Sequence, residues 1–182
     1  VMTRQWSIIQ ALAERGANLD HTRFEGSRPV DLVNGDYWFN HNEYNMDDAM
    51  QEPSTLIGYL LGLGAEYGLC TAIQLGDCER VQSLIQDAPD QVNALSNAPH
   101  ALSSASEYGR RRPIVVAAQN ERLEIVRLLI EAGADVNLGV PLWSPYGQAL
   151  FAACAKGNVE MARMLLEAGA LPNVEVESSG DC

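Results

Sequence analysis

Three histidines, four cysteines, one acidic and aromatic segment and one run of arginines are the residues of this 182-residue chain best equipped for chemistry. His21, His41 and His100 sit in three separate loop-like stretches, with no His-x-x-x-His pair and no Gly-x-Ser-x-Gly elbow around them. Isolated histidines of this kind read as solvated side chains rather than ligands or proton carriers. Cys70, Cys78, Cys154 and Cys182 form no CxxC pair and fit no zinc spacing. They read as free thiols, three of them small buried hydrophobes and the fourth in the last residues, which suits a reducing compartment. Gly62, Gly64 and Gly68 lack the Lys-Ser/Thr ending and the preceding strand that a phosphate loop needs, and read as helix ends.

The segment Asp36-Tyr37-Trp38-Phe39-Asn40-His41-Asn42-Glu43-Tyr44-Asn45-Met46-Asp47-Asp48 carries oxygen ligands that suit a hard cation such as calcium. It lacks the Asp-x-Asp-x-Asp-Gly register and the closing glutamate, so a solvated acidic loop is the simpler reading. Tyr37, Trp38 and Phe39 together would expose a large apolar area in such a loop. Either they pack this segment onto the rest of the chain or they anchor a partner. Arg110-Arg111-Arg112 is a basic cluster in an acidic chain. It suits an acidic or phosphorylated segment, or else is solvated or paired with nearby carboxylates. No catalytic, cofactor-binding or metal-binding residue is assigned, and no cofactor is expected.

The whole chain carries a formal net charge of −12 and is 47% hydrophobic and 20% charged. That apolar fraction can build a core. The negative field repels a phosphate backbone, which argues against nucleic acid and for a basic or mixed protein surface as partner. No apolar run approaches the roughly 18 residues of a membrane span, and no signal sequence opens the chain. The expectation is a soluble, cytoplasmic protein without membrane contact, monomeric by default.

The elements that would carry these residues emerge from an internal repeat. Pro113-Ile114-Val115-Val116-Ala117-Ala118 leads through Leu123-Glu124-Ile125-Val126-Arg127-Leu128-Leu129 to Glu131-Ala132-Gly133-Ala134-Asp135-Val136-Asn137. Ala149-Leu150-Phe151-Ala152-Ala153-Cys154 leads through Val159-Glu160-Met161-Ala162-Arg163-Met164-Leu165-Leu166 to Glu167-Ala168-Gly169-Ala170-Leu171-Pro172-Asn173. Residues 113–120 predict a short apolar helix opened by Pro113. Residues 122–131 predict a second helix whose apolar stripe is too wide for a lone surface helix, ended by Gly133 in the left-handed conformation. A helix pair this small cannot bury its own apolar surface, so neighbouring pairs must stack on it.

These residues resemble the ankyrin repeat, which runs T-P-L-H-x-A-A, then an E-I-V-x-L-L-L helix, then G-A-D-V-N. The match at residues 131–137 is the most specific. Arg112 and Val115 stand where the pattern has threonine and histidine, and Ala149 where it has proline. The resemblance implies an all-α ankyrin-repeat solenoid of about four to five irregular repeats with hairpin fingers. With the pattern in hand, one array over residues 1–182 is expected, with units near 1–20 (partial), 27–66, 68–93, 109–137 and 147–173. Residues 34–54 are an insert in the second unit, and 174–182 begin a further unit or form a tail. The abrupt ends suggest a piece of a longer array or atypical terminal units.

The resemblance also implies a binding mode, because ankyrin repeats take up protein partners with finger tips and the exposed ends of first helices. By position this selects Gln74, Leu75, Gln119, Asn120, Ala155 and Lys156 on first helices. It selects Tyr108, Arg110, Arg111, Leu142, Trp143 and Tyr146 in the fingers. The expected function is a non-catalytic scaffold that binds a protein partner. The alternative is a regulatory or targeting segment of a larger enzyme, and a metal-binding or enzymatic protein built around residues 34–54 is a third possibility.

Overall fold

The computed structural model describes residues 6–22, 28–33, 53–95, 112–138 and 148–173, and these are helical, with no strand among them. They divide between Gly68 and Leu69 into two compact units. The first holds α1 (Trp6–Glu14), one turn of 3₁₀ helix at Val30–Leu32, and α2 (Pro53–Gly62). The second holds α3 (Leu69–Leu75), α4 (Cys78–Asp87), a 3₁₀ turn at Pro89–Asn93, α5 (Pro113–Gln119), α6 (Leu123–Glu131), α7 (Ala149–Ala155) and α8 (Val159–Glu167).

In the second unit a short helix precedes a longer one three times, and each short helix packs on its own long one. The pairs then stack in chain order, short on short (α3, α5, α7) and long on long (α4, α6, α8). Sequence explains the asymmetry. Every residue from Pro113 to Ala118 is buried, because α5 lies between the helices of two neighbouring pairs and its own partner α6. The long helix α6 is amphipathic. It buries Ile125, Val126 and Leu129, while Glu124 and Arg127 face outward and pair at 2.8 Å. Burying each large apolar side chain contributes roughly 1.5–3 kcal/mol, whereas an exposed pair of this kind adds little.

One helix-ending device recurs through both units. After the long helices, Gly16, Gly64, Gly133 and Gly169 adopt φ of +75°, +86°, +86° and +91°. The alanine that follows each glycine donates its N–H back to a helix carbonyl: Ala17 to Leu12, Ala65 to Leu60, Ala134 to Leu129 and Ala170 to Leu165. This satisfies carbonyls that the helix end leaves open. Helix α4 is the exception. Pro89 drives Ala88 out of the helical regions to φ −145°, and the 3₁₀ turn follows instead. The short helices end in the same way at Gly76, Glu121 and Gly157, with Asp77, Arg122 and Asn158 bonding to Ala72, Ala117 and Ala153. Glu121 is the one non-glycine residue with positive φ among those described, at +56°. A side chain in that region costs about 1 kcal/mol.

Asparagines join consecutive pairs. Asn93 donates to the Gly133 carbonyl at 3.0 Å and accepts from the Asp135 N–H at 2.8 Å. Asn137 repeats this on Gly169 and Leu171, both at 2.9 Å. Arg112, at the slot of the missing threonine, donates to the Asn93 carbonyl and so ties its own pair to the one before.

In the first unit Ile9, Val30, Val33, Leu56, Ile57, Leu60 and Ala65 form the core, and the Trp6 and Tyr59 rings pack 4.8 Å apart. After Pro29 the chain forms a single 3₁₀ turn over its described length. The Asp31 carboxylate accepts from the Arg28 and Gly68 N–H groups, each at 3.1 Å. Asp20 accepts from the Glu66 N–H at 2.7 Å. Counted forward from the exit glycine, Asp20 and Glu66 hold the same slots as Asn137 and Leu171. The slots eight and four residues before that glycine hold Leu56 and Leu60, Ile125 and Leu129, Met161 and Leu165, all 0–1% exposed. In α1 they hold Ile8 and Leu12, at 51% and 52% exposed. No described helix lies over that face of α1.

The cysteine expectation needs one correction. Cys70 and Cys78 are half-buried free thiols, but Cys154 is exposed. Ile73 and Ala118 hold the equivalent slot and are fully covered, because the next short helix stacks on each. Among the described residues no helix stacks on the far side of α7.

Candidate partner-binding face

The left-handed turns that end α3, α5 and α7 fix the direction in which each short helix releases its last side chains. Because the turns are alike, three successive pairs present the same two slots: Gln74, Gln119 and Ala155 in one row, Leu75, Asn120 and Lys156 in the next. Leu75 is 39% exposed, Asn120, Ala155 and Lys156 are exposed, and Gln74 and Gln119 are half-buried. The structure therefore aligns all six first-helix residues that the sequence selects. Their chemistry runs from an apolar group through neutral amides to one cation.

Two further residues organise this face. Arg122, at the start of α6, donates from its guanidinium to the Gln74 carbonyl at 2.7 Å. The same guanidinium lies 3.2–3.3 Å from where a Cβ on Gly76 would sit, so Gly76 supplies both the left-handed turn and the space. At the equivalent position Asp77 and Asn158 cap their helices, accepting from the Arg80 and Met161 N–H groups. Arg122 cannot accept a bond and spans the two pairs instead. Glu121 is exposed beside Gln119 and Asn120. Sequence reading missed both residues. Aligning 76, 121 and 157 shows glutamate in a glycine slot, and aligning 77, 122 and 158 shows a cation in a capping slot.

Asn120 turns its amide inward to the Val116 carbonyl at 2.8 Å, which tightens the end of α5. His21 is exposed, and among the described residues no group of three His, Cys, Asp or Glu side chains converges to hold a metal. What this surface offers is hydrogen-bonding and apolar contact over three pairs. The other selected residues, Tyr37, Trp38, Phe39, Tyr108, Arg110, Arg111, Leu142, Trp143 and Tyr146, lie outside the described residues, as do His41, His100 and Cys182.

Short and long helices in strict alternation, left-handed turns at their ends and asparagine clasps between pairs define a helical repeat protein. A family model for ankyrin repeats, in three copies, matches residues 69–176. This is more than half of the chain and takes in the three pairs from α3 to α8. The chain belongs to the ankyrin repeat family. Ankyrin repeats are generally protein–protein interaction modules and typically non-catalytic. Among curated proteins, none matches the chain. No helix of the described residues is long and apolar enough to cross a membrane.

Proposed function

We propose that this chain is a non-catalytic scaffold that holds one protein partner on the first-helix ends of α3, α5 and α7, with the fingers beside them. The observation that carries this reading is the register of side chains at identical slots in three successive pairs: half-buried Gln74 and Gln119 with exposed Ala155 in one row, exposed Leu75, Asn120 and Lys156 in the next. A rigid row of this kind loses little entropy when a partner docks, which favours affinity. The net charge of −12 favours a basic or mixed partner surface over nucleic acid. The free thiols at Cys70, Cys78 and Cys154 fit a reducing, cytoplasmic setting.

The proposal extends to one array that includes the first unit. Supporting this, Gly16 and Gly64 make the same exit turn as Gly133 and Gly169, and Asp20 meets Glu66 at the clasp slots. Capture from a lysate of the native source, followed by binding measurements on the recovered protein, tests the face. Leu75→Asp, Arg111→Ala and Trp143→Ala each leave folding intact in this reading. Each weakens binding by about 2 kcal/mol if central. Wild-type affinity in all three variants sinks it.

A further inference from the structure

We infer that Glu121 is the charged recognition point of this face and receives an arginine or lysine from an extended segment of the partner; the inference rests on the binding face proposed above. The exits of α3, α5 and α7 share a left-handed residue and the same backbone hydrogen bond, yet only the middle one carries a side chain: Gly76, Glu121, Gly157. Glutamate is strained there, and glycine in both sister turns shows that the fold does not need it. Nor does the structure offset the strain. The Glu121 side chain is exposed, and its carboxylate makes no hydrogen bond or ion pair with any described residue. The nearest cation in sequence, Arg122, is turned to the Gln74 carbonyl. Strain that is kept without structural return points to a task in binding.

The geometry also selects the form of the partner. The glycine at 157 leaves its turn bare, with nothing within 4 Å of an added Cβ, so a backbone can approach closely there, while the Arg122 guanidinium lies across the turn at Gly76. Packed helices lie about 8–10 Å apart, and three residues of extended chain cover about 10 Å. An extended segment crossing the row therefore meets one exit for about every three residues. It finds a single carboxylate at the centre. A cation at that point of the segment gains a charged hydrogen bond, with Leu75 and Asn120 for its neighbours.

An immobilised array of random-sequence peptides tests this with the 182-residue chain. The wild-type chain should select peptides that share an arginine or lysine at one position. Glu121→Gln should weaken the best of them by about tenfold and abolish preference at that position alone, and Glu121→Lys should exchange it for aspartate or glutamate. Glu121→Gly should weaken the same peptides although it raises the melting temperature, which separates recognition from folding. Selected peptides without a shared cation, or unchanged binding by Glu121→Gln, overturn the role of Glu121 and leave the face standing. If the wild-type chain selects no peptide at all, the face and the role fall together.

Discussion

The side-chain amide of Asn137 donates to the Gly169 carbonyl at 2.9 Å, and its oxygen accepts the N–H of Leu171 at the same distance. One side chain thus closes both polar groups of the next exit turn, 32 and 34 residues further along the chain. A carboxamide can do this because it carries a donor and an acceptor on separate atoms, which a carboxylate does not. At the Asp20 clasp slot of the first unit, where the group is a carboxylate, only the accepting half is present.

Asn137→Ala should therefore destabilise the second unit by about 2 kcal/mol, from two hydrogen bonds at about 1 kcal/mol each. Asn173 holds the same slot after Gly169 but is exposed and bonds to no described residue, so Asn173→Ala should change stability by less than about 0.5 kcal/mol. Urea denaturation of the two variants measures the difference. Equal losses would show that the clasp is not what Asn137 contributes.

Core slots that match in sequence should differ sharply in energetic weight. Leu129→Ala removes a fully buried side chain and should cost about 2–5 kcal/mol. Leu12→Ala, four residues before Gly16 as Leu129 is before Gly133, removes a side chain that is half exposed. It should cost under about 1 kcal/mol. Thermal melts of both decide whether burial or slot governs stability.

Backbone conformation predicts substitutions of opposite sign. Glu121→Gly relieves a left-handed side chain and should stabilise by about 1 kcal/mol. Gly133→Ala introduces that strain at φ +86° and should destabilise by about as much, although nothing lies within 4 Å of the added Cβ to clash with it. A change of the same sign in both, read from chemical denaturation midpoints, would contradict the assigned turn.

Thiol access follows the stacking order. Cys154 should be alkylated by iodoacetamide well before Cys70 and Cys78, which are half-buried within the pairs. Peptide mass spectrometry over a time course gives the order. Cys154→Ser should leave stability within about 0.5 kcal/mol of the wild type.

The first-helix part of the candidate face was legible because its residues sit at fixed places in a repeat whose exit glycines the sequence displays openly. Gln74, Gln119 and Ala155 were selected through the ankyrin resemblance, and the left-handed turns after them explain why these side chains leave their helices at equivalent places. Arg122 and Glu121 were not legible in the same way. A charged residue beside a turn normally reads as solvated, and only coordinates reveal that one guanidinium spans two pairs while the adjacent carboxylate is left open.

The sequence by itself determined the repeating helix pair, its exit turns and the need for neighbours to stack, because apolar period, proline and glycine act locally and leave a fixed signature. Tertiary structure alone decided which equal slots are covered: Ile125 is sealed and Ile8 is half exposed, Ala118 is sealed and Cys154 is open. The reason is that burial belongs to the helix lying across a residue, and that helix comes from a distant part of the chain, where no local pattern can announce it.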